Sequence, residues 1–245
     1  MKKSIFTVQS NTALTDSVYK MVLLGDTSAI TAPGQFVNLQ LEGLFLRRPI
    51  SVCDYDEGSL TLIYKVVGKG TEAMSHMVPG TALDLLTGLG NGYDLTLSGE
   101  NPVLIGGGVG VPPMYNLAKK LLAQGKQVSV ILGFNTRAEI FYEEEFKALG
   151  CTTLVTTVDG SYGIQGFVTN ALDTLDYSYF YTCGPEPMLK AVYRSSKTSG
   201  QMSFEKRMGC GFGACMGCSC KTITGYKRIC KEGPVMRKEE ILWEN

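Results

Sequence analysis

From residue 102 onward the sequence alternates strand and helix signals four times, and no other feature restricts the fold so tightly. "PVLIGG", "QVSVILGF", "CTTLVTTV" and "YSYFYTCG" are apolar, β-rich runs of the kind buried on both faces of a parallel sheet. Each leads into a helix signal: "PPMYNLAKKLLAQG", closed by Gly125, then "RAEIFYEEEFKALG", "GFVTNALDTL" and "PEPMLKAVYRSSKTS". Four βα units in succession require a doubly wound parallel sheet covered on both faces, here over residues 100–200. One more strand, "QMSFEKRM", opens the remainder, residues 201–245, which is rich in cysteine.

Residues 1–99 follow a different rhythm. "SVYKMVLLGD", "GQFVNLQL", "ISVCDYD", "SLTLIYKVV" and "TALDLLT" are short β-rich runs separated by Gly, Pro, Asp or Asn turn signals. Such spacing predicts a small antiparallel β-barrel or sandwich. A short helix is expected at "GTEAMSHM", with Thr71 as N-cap and Pro79-Gly80 beyond its end. The fold class is therefore β plus α/β: a barrel, a parallel-sheet domain and a cysteine-rich tail.

Charge and apolar patterning exclude several functions. The 23 basic residues balance 23 acidic ones, and no polybasic stripe appears, so neither nucleic acid nor an anionic membrane is an expected partner. The most apolar window, "NPVLIGGGVGVPPMY", is broken by Gly and Pro well short of a membrane span, and the first residues lack the apolar core of a signal peptide. Bunched cysteines argue against a secreted disulfide scaffold, so the expected location is the cytoplasm.

"LIGGGVGVPPM" lies between a strand and a helix, where glycines let backbone N–H groups approach a pyrophosphate. Gly108 and Gly110 give the G-x-G of a dinucleotide loop, and Pro113 stands where its third glycine usually is. Proline suits a helix start, where its missing N–H has no partner to lose. A tight turn without a ligand would explain the loop equally well. Cys183 and Gly184 form a second turn, "YTCGPEPM", at the same carboxyl edge of the sheet, where ligands of such sheets bind. In the barrel, "RRPIS" puts Arg48 and Ser51 on a strand, and Gly70 and Thr71 stand at a helix start, a candidate second anion site.

In order and spacing, R-x-x-S, G-x-G-x-x-P and C-G-P-x-P-M resemble the ferredoxin–NADP reductase superfamily over roughly residues 1–200. The resemblance implies FAD on the barrel and a nicotinamide dinucleotide on the α/β domain, meeting in the cleft between them. Ile50 stands where the family motif has Tyr, so the usual aromatic stacking on the flavin must come from elsewhere or be absent.

The tail holds five cysteines, Cys210, Cys215, Cys218, Cys220 and Cys230. The C-x4-C-x2-C spacing of the first three matches the plant-type loop for a 2Fe–2S cluster, with Cys230 the natural fourth ligand and Cys220 a bystander. Structural zinc is the rival reading, but zinc sites usually come as two C-x2–4-C pairs, and Cys230 stands alone. His76, the single histidine, rules out Rieske ligation and reads as a structural helix residue.

With "LFLRRPIS", "IYKVVGKGT" and "GLGNGY", the tail "EKRMGCGFGACMGCSC…RICKEGPVM" resembles the electron-transfer subunits of type B dihydroorotate dehydrogenase along essentially the whole chain. That resemblance implies FAD contacts at Arg48, Pro49, Ile50, Ser51, Ile63, Tyr64, Lys65, Gly70 and Thr71. It implies cluster ligands at Cys210, Cys215, Cys218 and Cys230, and NAD rather than NADP, although both Arg137 and Glu139 lie near the expected ribose. It also implies an FMN-containing catalytic subunit as partner, in an assembly of two catalytic and two electron-transfer subunits. No acid–base pair stands out, and "YEEEF" reads as a solvated helix face, as expected of an electron carrier with no catalytic residues of its own. The alternatives are a reductase serving ferredoxin, a hydrogenase or a sulfite reductase, and a nucleotide-binding module with a structural zinc.

Overall fold

A computed structural model describes residues 1–243. Six strands close an antiparallel barrel in the order β1-β2-β5-β4-β3-β6. They are β1 (Lys2–Ala13), β2 (Val18–Leu24), β3 (Phe36–Leu39), β4 (Arg48–Tyr55), β5 (Ser59–Lys65) and β6 (Ala82–Leu89). Alternation of side chains puts Val37, Leu39, Val52, Leu62 and Tyr64 inside the barrel, buried with Phe6 and Met21. Helix α1 (Lys69–Ser75) follows β5. Thr71 lies inside this helix rather than at its N-cap, which is Gly68. Its hydroxyl reaches back to accept from the N–H groups of Val67 (2.9 Å) and Gly68 (3.3 Å), so a threonine one turn into the helix does the capping.

The second domain is built on β7 (Val103–Gly107), α2 (Pro112–Ala123), β8 (Ser129–Phe134), α3 (Glu143–Leu149), β9 (Thr152–Thr157) and β10 (Ile164–Gln165). It continues through α4 (Val168–Leu172), β11 (Phe180–Cys183), α5 (Glu186–Ser195) and β12 (Gly200–Ser203). The order β10-β9-β8-β7-β11-β12 is parallel throughout and reverses direction of growth at β7, as a doubly wound sheet must. Residues of α2 and α3 are buried on one face, those of α4 and α5 on the other.

The tail does not stand apart from this sheet. After a hairpin of β13 (Ser219–Thr222) and β14 (Gly225–Arg228), strand β15 (Val235–Arg237) joins β12 as an antiparallel edge. The turn after β6 holds it there. Asn91 donates through Nδ2 to the Val235 carbonyl (2.7 Å) and accepts from the Val235 N–H (3.1 Å). The segment "GLGNGY" is thus the clamp by which the barrel grips the tail. Among the described residues no helix is long and apolar enough to cross a membrane.

Candidate functional site

At the carboxyl edge of the sheet, β7 ends in Gly107 and residues 108–110 form a tight turn into α2. Gly110 has no room for a side chain, since a Cβ there would lie 2.2 Å from the Cys183 carbonyl oxygen. The two turns predicted to meet a dinucleotide therefore press backbone against backbone, where β7 and β11 part at the reversal of strand order. Gly108 takes a left-handed φ of +52°, open to glycine at little cost. Pro113 is buried at the second position of α2, where no hydrogen bond requires its N–H.

A cavity of about 630 Å³ opens over these turns, lined by Gly108, Gly110, Gly184, Asn135, Lys65 and Glu205 among others, in the range of ordinary ligand sites. Cys183 does not reach it. Its thiol is buried with Tyr93 and Tyr181 and burial pushes it up to about 12, so at neutral pH it is a packed thiol, and Gly184 is what this turn presents to the cavity. Glu139 lines the cavity, its carboxylate accepting from the N–H (3.0 Å) and side-chain amide (2.9 Å) of Asn135. Arg137 instead lies over the Tyr162 ring. Sequence reasoning missed Glu205. Its side chain is exposed at the cavity wall, where partial desolvation by the surrounding protein raises its carboxyl above the usual range. A lone acid at the exposed end of "SFEKR" carries no signal of that.

On the barrel, Arg48 begins β4 and lies against the first turn of α1: a Cβ at Gly70 would be 2.4 Å from Arg48 Nε. Residues 22 apart are thus brought together, and among the described residues no carboxylate pairs with this guanidinium. A cation with free donors beside a glycine backbone suits a diphosphate. Ile50 points to the barrel core, so Pro49 and Ser51 alternate to the outer face. In β5 the same alternation separates the predicted contacts. Tyr64 is inside, donating to Asn11 Oδ1 (3.0 Å), so only its backbone is available to a ligand. Ile63 faces outward beneath the α/β domain, and Lys65 reaches the cavity.

The cysteine loop gathers its thiols two and two. Cys210 Sγ accepts from the N–H groups of Ala214 (3.2 Å) and Cys215 (3.4 Å). Although burial works the other way, the N–H groups of Cys215, Phe212 and Ala214 bring the Cys210 thiol down to about 6. Cys218 and Cys230 form the second pair, the Cys230 N–H donating to Cys218 Sγ at 3.4 Å. Burial and the neighbouring Cys218 push the Cys230 thiol up to about 12. Among the described residues no three metal-binding side chains converge as they would on a single ion. Two pairs of thiols fit two metal ions with two sulfurs each, the donor set of a 2Fe–2S cluster, better than the one centre of a zinc site. Cys220 lies apart, lining a second cavity of about 410 Å³ beside Trp243 and Lys206.

The barrel order puts these parts in a row. On adjacent strands β5, β4 and β3 lie Lys65 under the dinucleotide cavity, then Pro49 and Ser51, then Asn38, whose Nδ2 donates to the Cys210 carbonyl (3.3 Å).

A barrel with Arg48 beside Gly70, a doubly wound sheet with a cavity over its glycine turns and a four-cysteine loop together fit the class of NAD-linked flavin and iron–sulfur oxidoreductases. Comparison with known proteins narrows this class. Residues 205–242 match the iron-sulfur cluster binding domain of dihydroorotate dehydrogenase B, and residues 104–194 match the oxidoreductase NAD-binding domain. Over 255 residues the chain is 42% identical to the dihydroorotate dehydrogenase B (NAD(+)) electron transfer subunit of Bacillus pumilus, covering 98% of each chain. It is likewise 42% identical to that of Fusobacterium nucleatum, covering 98% of this chain and 99% of the relative. The chain belongs to the family of dihydroorotate dehydrogenase B electron transfer subunits. Among solved structures, an NADH-dependent reduced ferredoxin-NADP oxidoreductase superposes with a TM-score of 0.87 at 29% identity, covering 97% of this chain and 90% of that one. The FAD/NAD binding domain of nitric oxide dioxygenase from Vibrio cholerae shares the fold, with a TM-score of 0.70 at 22% identity over 81% of this chain and 98% of that one.

Proposed function

We propose that this chain carries electrons from an FMN-containing, dihydroorotate-oxidising catalytic subunit to NAD+, as the electron-transfer half of a cytoplasmic enzyme of pyrimidine biosynthesis. The observation that supports the reading is that Lys65 at the cavity, Pro49 and Ser51, and Asn38 against the cysteine loop lie on the adjacent strands β5, β4 and β3. FAD bound in the middle supplies the chemistry that links two-electron hydride exchange to one-electron transfer.

Each element has a defined part. Gly108, Gly110 and Gly184 open the backbone to the dinucleotide, with Pro113 setting the start of α2. Arg48, Gly70 and Thr71 hold the FAD diphosphate end, while Pro49, Ser51, Ile63 and Lys65, with the backbone of Ile50 and Tyr64, form the wall along which it lies. Cys210, Cys215, Cys218 and Cys230 hold the cluster. Its outer pair faces solvent, where a catalytic subunit can dock; two such subunits on a catalytic dimer complete the assembly.

The decisive experiment is anaerobic reduction of the purified chain, followed by flavin absorbance and cluster EPR. NADH is expected to reduce both centres. Dihydroorotate is expected to reduce them only after the FMN subunit is added. A chain that by itself oxidises dihydroorotate with NAD+ would refute the partner reading.

A further inference from the structure

Strand β3 carries one polar side chain that is closed off from water. Asn38 is 1% exposed, and its Nδ2 donates to the Cys210 carbonyl at 3.3 Å. Its Oδ1 is buried with no hydrogen-bond partner. A buried acceptor without a hydrogen bond destabilises the fold, so an apolar side chain of similar shape would suit it at least as well. The bond joins residues 172 apart and ties the barrel to the cysteine loop. The loop in turn leaves space for it: Gly211 has φ +77°, and a Cβ there would lie 2.3 Å from Asn38 Nδ2. Arg47 Nη1 donates to the Asn38 backbone carbonyl (3.2 Å), so the strand is held independently of the side chain.

Cys210 is the thiol whose sulfur takes two backbone N–H groups, those of Ala214 and Cys215. Such donors stabilise the added negative charge of a reduced cluster and raise its potential. We propose that Asn38 is a positioning residue for the iron–sulfur centre: by holding the Cys210 carbonyl against β3, it keeps those N–H groups aimed at the ligand sulfur and the cluster potential high. The inference rests on the cluster reading above.

The test uses the full chain loaded with FAD and cluster, with both midpoint potentials measured by EPR- and absorbance-monitored redox potentiometry. In Asn38→Leu the cluster potential is expected to move negative while the FAD potential and iron content stay unchanged. The thermal midpoint should hold or rise, because the orphaned acceptor is gone. Gly211→Ala, which displaces the amide from the other side, is expected to shift the cluster potential in the same direction. The double variant should shift no further than the larger single one. An unchanged cluster potential in Asn38→Leu overturns the proposal. So does a common drift of both potentials with a lower thermal midpoint, which marks a merely structural residue. A wild-type protein with flavin but no iron–sulfur EPR signal fails the cluster reading itself, a separable result.

Discussion

The two thiol pairs of the tail differ in almost everything except their element. Cys218 and Cys230 are each 2% exposed and sit at the base of the β13–β14 hairpin, packed with Ile229, Met202 and Met236. Cys215 is exposed and Cys210 half-buried, in a glycine-rich loop without regular structure. The loop depends on tethers from elsewhere: Asn38 on the Cys210 carbonyl, and Arg228, whose Nη1 donates to the Gly213 carbonyl at 2.6 Å. Half of the site belongs to the core and half to the surface. The inner pair can anchor a cluster rigidly, and the outer pair can bring it within reach of another protein.

The largest expected effect breaks the inner pair. Cys218→Ser should abolish the cluster EPR signal and lower the thermal midpoint, because putting a hydroxyl in place of a thiol in this buried apolar site costs about 1–3 kcal/mol. The same change at Cys215 should also strip the cluster, yet leave metal-free stability within about 0.5 kcal/mol of wild type by denaturant unfolding. Equal stability losses at both positions would erase the distinction between anchor and port. Gly110→Ala probes the other end of the row. Its Cβ meets a backbone carbonyl that cannot move aside, so NADH affinity should fall at least about tenfold, or about 1.4 kcal/mol, with cluster content unchanged.

Metal-free protein offers a pH test of the same contrast. With its thiol at about 6, Cys210 should alkylate at a rate that rises through pH 6 and is flat above it. Cys230, at about 12, should stay protonated and resist alkylation across the neutral range, as peptide mapping by mass spectrometry would read out. The smallest effect belongs to Cys220→Ser, which should leave cluster EPR intact, since Cys220 lines a different cavity.

Much of the candidate site is legible in the sequence because its signals are local. A glycine that must admit a neighbouring backbone, as Gly110 does, is visible as a glycine between strand and helix. The spacing of Cys210, Cys215 and Cys218 carries ligand chemistry within nine residues. Thr71 was misplaced within its helix because Gly68, lacking a side chain, gave no capping signal, while a threonine did. Cys183 and Tyr64 show the other limit. Their positions in a motif are local, but whether a side chain faces ligand or core depends on which face of the strand is covered. Asn38 left only a faint trace, one polar residue in the apolar run "FVNL".

What the sequence by itself determined is the set of parts: an antiparallel barrel, a doubly wound sheet, a glycine loop and a four-thiol loop. Hydrophobic period, turn residues and ligand spacing act over a few neighbouring positions, so each is fixed before the chain closes. The tertiary structure alone decided how the parts are joined. It set β15 at the sheet edge, locked the tail on Asn91, put Arg48 beside Gly70 and laid the Cys210 turn on Asn38. Those contacts pair segments distant in sequence, and they exist only because the barrel, sheet and tail pack as one body.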